Sequence, residues 1–171
     1  QEVITHRNCG LEVDYPNPAS IGPDRLANAR AGFEQFGAPV VIVDFGTAVT
    51  FDIVDAQGQY IGGIIAPGLS AMTDYLYEKT ALLPRIKIRD PRTAIGKTTE
   101  QAMRIGAVHG YRGLISGLID EVRRELAARK LPVVATGGGA RLIARQCPKI
   151  TAVRPLLTLE GLRLASARGN C

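Results

Sequence analysis

Tryptophan is absent from this 171-residue chain, and tyrosine with phenylalanine brings the aromatic share to only 5%. Base-stacking platforms of the kind used by single-strand nucleic-acid readers are therefore scarce. The chain has two histidines, His6 and His109, and three cysteines, Cys9, Cys147 and Cys171, with no Cys-x-x-Cys pair among them. No zinc-ligand spacing results, so reduced thiols and no structural metal are expected. Apolar runs stay well short of bilayer length, and Gln1-Glu2-Val3-Ile4-Thr5-His6-Arg7 lacks the basic-then-apolar order of a signal peptide. The expected compartment is the cytoplasm, with neither a membrane nor a nucleic acid as partner. Repeats and linkers are also missing.

What is present is apolar mass and a modest positive charge. At 46% hydrophobic the chain can bury one sizeable core or two small lobes. A net charge of +5 fits a nucleic-acid partner, an anionic small-molecule substrate or a solvated basic surface. Lys and Arg are scattered, with Arg85, Lys87 and Arg89 the nearest thing to a cluster, which favours the solvated surface.

The chain is centred on Val40-Val41-Ile42-Val43-Asp44-Phe45-Gly46-Thr47-Ala48-Val49-Thr50-Phe51-Asp52-Ile53-Val54, an apolar, β-branched run broken once by Asp-x-Gly-Thr. That pattern predicts strand, tight turn, strand. Gly46 is expected to take backbone angles that a side chain would forbid, pressing the turn's N–H groups against an anion, with the Thr47 hydroxyl as a further donor. Asp44 closes the first strand beside that turn, where a carboxylate serves to hold a cation accompanying phosphate. Taken alone, Asp-x-Gly-Thr reads more simply as an ordinary hairpin turn.

Upstream, Leu11 to Asp14 reads as a short strand running into a stiff Pro-rich loop. From Pro23, apolar residues recur at Leu26, Ala29, Phe33 and Phe36 and Gly37 follows as a stop, which predicts a helix. It begins with Asp24 and Arg25, and an Asp in a first turn is by itself a capping or dipole residue. Downstream, Tyr60-Ile61-Gly62-Gly63-Ile64-Ile65 makes a third antiparallel strand whose paired glycines predict close approach of another backbone or a ligand. Pro67-Gly68 leads into a helix carrying Leu69, Met72 and Leu76 on one face, with Met72 as core, ending before Pro84. Ile86 to Ile95 reads as a basic surface segment with at most a short strand.

The longest helix is capped by Thr98 or Thr99 and runs to about Ala128, with Ala102, Ile105, Leu114, Leu118, Ile119, Val122 and Leu126 as its apolar positions. Gly106, Gly110, Gly113 and Gly117 recur inside it, each costing roughly 1 kcal/mol of helix propensity against Ala. A neighbour is therefore expected to pack closely on that stripe, within the chain or across a dimer. His109 beside it reads as a packed or hydrogen-bonded histidine. Leu131 to Thr136 predicts a buried strand running into Gly137-Gly138-Gly139 and a helix through Leu142, Ile143 and Cys147, an arrangement common at nucleotide sites but without the Rossmann glycine spacing. A short strand and a helix opened by Thr158-Leu159-Glu160 fill Thr151 to Arg168.

Together, Tyr-x-Asn-Pro-x-x-Ile-Gly-x-Asp-Arg, Asp-x-Gly-Thr-Ala-x-Thr-x-Asp, Gly-Gly-x-Ile-x-Pro-Gly, Thr-x-x-Ala-x-x-x-Gly, Ala-Thr-Gly-Gly and Leu-Thr-Leu-x-Gly-Leu, in this order, resemble the type III pantothenate kinases. The resemblance implies an actin-like, sugar-kinase-like (ribonuclease H-like) α/β domain, with three antiparallel strands leading into parallel strands and helices on the flanks. It implies phosphorylation of pantothenate by ATP, the first step of coenzyme A biosynthesis, with Mg2+ and a monovalent cation, potassium or ammonium, and a homodimer. Asp24 looks like the family's general base. Tyr15, Gly22, Pro23, Arg25 and Thr99 match pantothenate contacts, with Thr98 standing where the family often has Asn. Asp44 matches the cation ligand, Gly46 and Thr47 the ATP-contacting turn, and Gly137 and Gly138 the turn near the adenosine.

The family's opening Asp-x-Gly-Asn-Thr motif does not precede Tyr15. Residues 1–21 are therefore expected to end a first domain and cross over, with 22–171 forming the second actin-like domain and the first domain's N-terminal strands missing. Such a chain alone is expected to bind nucleotide weakly and to transfer no phosphate. Two rivals are a different kinase of the same superfamily and a non-enzymatic regulatory or binding protein on the same scaffold.

Overall fold

The computed structural model describes residues 3–167; Arg168 and Cys171 lie outside the described residues. In chain order the elements are β1 (Glu12–Val13), α1 (Pro23–Phe36), β2 (Val40–Phe45), β3 (Ala48–Val54), β4 (Gln59–Pro67), α2 (Leu69–Lys79), α3 (Thr99–Glu125), β5 (Val133–Thr136), α4 (Ala140–Ala144), β6 (Ala152–Val153) and α5 (Leu157–Ser166). The six strands lie in the order β1-β4-β3-β2-β5-β6. The β2-β3-β4 meander is antiparallel, while β5 joins β2 and β6 joins β5 in parallel. β1, from the segment read as the end of a first domain, pairs in parallel with β4 of this same sheet. Among the described residues no helix is long and apolar enough to cross a membrane.

Strand alternation divides the core in two. Val41, Val43, Phe45, Val49, Phe51 and Ile53 face the layer of α3 and α4, with α2 packed alongside. Val40, Ile42, Val54 and Tyr60 face α1 and α5. By the same alternation Asp44 and Asp52 project from the sheet toward α1, which decides everything polar that follows.

Where α3 packs differs from the periodicity reading. Its buried stripe is Met103, Ala107, Val108, Tyr111, Arg112, Ile115, Ile119 and Val122, so Ala102 and Leu114 lie exposed beside it. The stripe admits a charge because both terminal nitrogens of Arg112 are held: Nη1 donates to Gln146 Oε1 and Nη2 to Asp90 Oδ1 and the Leu142 carbonyl, at 2.7–3.0 Å, while its buried Nε has no partner among the described residues. Thr98, and not Thr99, is the cap, its hydroxyl accepting from the Gln101 N–H at 3.2 Å.

The glycine stripe has no neighbour within the described chain. A Cβ added at Gly106, Gly110, Gly113 or Gly117 would meet nothing within 4 Å. Close helix contact occurs elsewhere, between α1 and α5, where a Cβ on Gly161 would stand 2.0 Å from the Ala27 carbonyl oxygen. No strand forms between Ile86 and Ile95, and α5 begins one residue before Thr158, whose hydroxyl serves a tertiary contact.

Candidate active site

The N-terminus of α1 is built for a charged first turn. Gly22 is the extended N-cap and Pro23 occupies the first helical position, where its missing N–H costs nothing. Asp24 follows, exposed, with its Oδ1 2.5 Å from where a Cβ on Gly22 would be. Arg25 turns inward: its Nε donates to Asp52 Oδ1 at 2.7 Å and its Nη2 to the Phe51 carbonyl at 3.1 Å. Its guanidinium lies 5.9 Å from the Tyr60 ring centre, and the Tyr60 hydroxyl donates to Asp52 Oδ1 at 3.3 Å. The Tyr15 ring is 6.4 Å from that of Tyr60. Tyr15, Gly22, Pro23, Asp24 and Arg25 are thus gathered at one end of α1, while no hydrogen bond joins Thr99 to any of them.

The paired glycines of β4 make room for this cluster. Gly62, at φ 119°, sits at a bulge opposite Ile53 and Val54, and a Cβ there would stand 3.4 Å from the Tyr15 ring. At Gly63 a Cβ would lie 1.6 Å from the Phe51 carbonyl oxygen and 2.6 Å from Arg25 Nη2, so no side chain fits. The close backbone approach read from Gly-Gly is therefore an approach to β3. Burial pushes the Asp52 carboxyl up to about 7, with Arg25 and then Tyr60 partly offsetting it. Burial opposes the Arg25 charge and the Asp52 carboxylate outweighs that, so Arg25 stays cationic.

A second buried polar chain reaches the phosphate-like turn. Asn28, one helical turn after Asp24 and fully buried, donates from Nδ2 to Asp44 Oδ2 at 3.0 Å. Its Oδ1 accepts from the Thr158 hydroxyl of α5 at 2.7 Å. The other Asp44 oxygen lies 2.4 Å from where a Cβ on Gly137 would be. Gly137, at φ 83°, is held to glycine by both conformation and space.

The turn itself corrects one expectation. Gly46 does not have a positive φ, and its N–H is spent inside the turn on the Ala48 carbonyl at 3.0 Å. Space is tight at Gly68 instead, where a Cβ would stand 2.3 Å from the Thr47 carbonyl oxygen. Gly68 packs on the same turn, donating its N–H to the Thr47 carbonyl at 3.0 Å, and the Gly139 N–H donates to the Phe45 carbonyl at 3.2 Å. Three glycine-bearing segments therefore converge around an exposed Thr47. A cavity of about 250 Å³ lies beside them, lined among others by Gly46, Ser70, Gly138, Gly139 and Tyr111. The Tyr111 hydroxyl is buried without a hydrogen-bond partner among the described residues.

The pattern of the type III pantothenate kinases matches residues 2–121. The chain belongs to that family. It is 54% identical over 156 residues to a type III pantothenate kinase of Methylacidiphilum infernorum, covering 91% of this chain and 58% of that protein. The Akkermansia muciniphila type III pantothenate kinase is 52% identical over 157 residues, 92% of this chain and 64% of its own length. The chain thus spans about three fifths of the length of these curated relatives. Among solved structures, a Campylobacter jejuni protein assigned to the Baf family of transcriptional activators superposes with a TM-score of 0.67 at 21% identity, covering 96% of this chain and 71% of its own. The ethanolamine utilization protein EutJ of Carboxydothermus hydrogenoformans gives 0.50 at 21% identity, over 82% of this chain and 53% of its own. These likenesses establish the actin-like α/β fold.

Within this family member, two residues that shape the site carry no role in the sequence reading. Asn28 sits at a helical position among the apolar residues Leu26 and Ala29, and a polar residue on a core-facing stripe is the signal that marks it. Asp52 ends the Asp-x-Gly-Thr-Ala-x-Thr-x-Asp run, and its alternation with Thr50 places it on the face of Asp44.

Proposed function

We propose that the chain serves phosphoryl transfer from ATP to the primary hydroxyl of pantothenate, the first step of coenzyme A biosynthesis, in a cytoplasmic enzyme. What carries this reading is the joining of the two ends of α1's polar face to one hairpin: Arg25 to Asp52 and Asn28 to Asp44. Asp24 and the turn bearing Thr47 are thereby parts of one rigid unit. Phosphoryl transfer asks for such alignment of an acceptor with a restrained phosphate.

In this reading Asp24, exposed and with no side-chain hydrogen bond among the described residues, accepts the acceptor's proton. Tyr15, Gly22, Pro23, Arg25 and Thr99 hold pantothenate. Thr47, Gly46, Gly137 and Gly138 border ATP, whose phosphates are the phosphoryl source. Asp44 offers a single carboxylate, its Oδ2 already accepting from Asn28, and one carboxylate oxygen suits a potassium or ammonium ion better than a divalent metal. Mg2+ belongs to this reading as an ion that arrives held by the nucleotide's phosphates.

A homodimer belongs to the same proposal. An apolar groove of about 630 Å³ between α2 and α3, lined by Met72, Tyr75, Leu76, Met103 and Gly106, opens beside the bare glycine stripe, and Tyr75 is 62% exposed. A second copy packing there would offset the helix cost of those glycines.

The test is pantothenate-dependent ADP release with potassium present, comparing the wild-type gene product with Asp24→Asn. Loss of a general base lowers turnover by about 100-fold or more with little change in melting temperature. An Asp24→Asn protein that turns over at the wild-type rate refutes the assignment.

A further inference from the structure

Asp52 holds a position that neither the cation nor the phosphate roles use. Its side chain is fully buried, Oδ1 accepts from Arg25 and Tyr60, and Oδ2 is buried with no hydrogen-bond partner among the described residues. A dry, unpaired carboxylate oxygen is costly, and an apolar residue of similar volume would pack here without that cost. The compensation lies in Arg25. Its side chain is 12% exposed, its Nε and Nη2 are both held, and Nη1 makes no hydrogen bond among the described residues. Because the guanidinium is planar and rigid, fixing two of its nitrogens fixes the third. Gly63 completes the seat by leaving the space next to Nη2 free of a side chain.

We propose that Asp52 is a positioning residue, pinning one edge of the Arg25 guanidinium so that Nη1 meets an anionic oxygen of the reactants bound at Asp24. This rests on the phosphoryl-transfer reading above. The anionic oxygen belongs to the acceptor's carboxylate or to the transferring phosphoryl group, and both offer Nη1 the same charge-assisted bond. The groups facing Asp52 are Arg25 and Asp24 from α1 and Tyr60 from β4, with Tyr15 facing Arg25 and Tyr60. Of these, burial holds Tyr60 protonated, and Arg25 stays cationic. Asp52, pushed up to about 7, is the member that changes charge near neutrality: ionised it grips Arg25 harder, protonated it relaxes the grip.

Two measurements test this. The first, on the wild-type gene product without substrate, is the NMR signal of the Arg25 Nε–H. Pinning gives slow solvent exchange and a shift that titrates near pH 7, both abolished in Asp52→Asn; rapid exchange in the wild type overturns the pinning whatever the activity. The second is steady-state kinetics with pantothenate and with its neutral alcohol analogue. If Nη1 serves the acceptor carboxylate, Asp52→Asn raises KM for pantothenate about tenfold, leaves kcat nearly unchanged and spares the analogue. If it serves the phosphoryl group, kcat falls about tenfold with both acceptors. In either case the wild-type pH profile has a limb near 7 that the variant lacks. An Asp52→Asn enzyme with wild-type KM, kcat and pH profile refutes the positioning role, whereas a wild type that phosphorylates neither acceptor refutes the functional reading and leaves the Nε–H titration to decide the pinning.

Discussion

Replacing Asn28 by Asp changes one nitrogen to oxygen inside the core and keeps the shape. In the wild type, Asn28 Nδ2 donates to Asp44 Oδ2 at 3.0 Å while its Oδ1 accepts from Thr158 at 2.7 Å. The variant keeps an acceptor for Thr158 and sets a second carboxyl against Asp44 with no donor between them. Two ionised carboxylates at that separation in a buried site are not tolerated, so one must keep a proton. Holding a proton at pH 7 on a group with an ordinary value near 4 costs roughly 4 kcal/mol, since each unit is about 1.4 kcal/mol. At pH 5 the same cost is about 1.4 kcal/mol. The sign follows directly: the shared proton raises a folded-state value above the unfolded one, so stability present in acid is lost as pH rises.

The assay is urea unfolding of wild type and Asn28→Asp at pH 5 and pH 8. Asp52, whose own raised value erodes stability as pH rises through about 7, is present in both proteins and cancels in the difference. The variant should be destabilised by about 1–2 kcal/mol at pH 5 and by about 4 kcal/mol or more at pH 8. A difference that does not change with pH, or a variant as stable as wild type at pH 8, would refute the contact between Asn28 and Asp44.

Gly137→Ala forces φ 83° on a residue with a Cβ and drives that atom within 2.4 Å of Asp44 Oδ1 and 2.8 Å of the Phe45 N, so it should cost more than about 2 kcal/mol in a thermal melt and weaken binding of a non-hydrolysable ATP analogue. Gly110→Leu meets open space in the protomer and improves helix propensity by up to about 1 kcal/mol, so it should hold or raise monomer stability while dissociating the proposed dimer in sedimentation equilibrium. A wild type that sediments as a monomer at micromolar concentration would refute the second copy.

The central hairpin was legible because β-branched residues alternate on both sides of one turn, and the paired registers Val41↔Ile53 and Val43↔Phe51 follow that alternation. The register of α3 was not, because Tyr111 and Arg112 occupy its buried stripe and a periodicity read on apolar residues alone passes over them. An arginine enters a core when partners hold its charged end, and those that meet Nη1 and Nη2 of Arg112, namely Asp90, Gln146 and Leu142, come from segments 22–34 residues away. Glycines were legible only in part. The helix cost of Gly106 to Gly117 predicts a close contact that the described protomer does not supply and a second copy would, whereas the close contact between α1 and α5 rests on Gly161, against Ala27. Backbone freedom was expected at Gly46, while the site's glycines with positive φ are Gly62 and Gly137.

The same alternation explains why the site's framework was half visible. Asp44 and Asp52 sit two residues out of register on adjacent antiparallel strands, since Asp44 faces Thr50 and Ile42 faces Asp52. Both therefore project toward α1, and on α1 the residues that meet them, Asn28 and Arg25, are three apart and share a helix face. A strand repeat of two and a helix repeat near 3.6 bring two acid–donor pairs together at once only for one relative placement of helix and hairpin. Each pair thus specifies the position of the other. Asp24, next to Arg25, inherits that placement relative to the turn carrying Thr47, and the Thr158–Asn28 bond extends it to α5. Breaking either pair should accordingly disturb the acceptor end and the phosphate end together, whereas a substitution at Asp24 disturbs only the first.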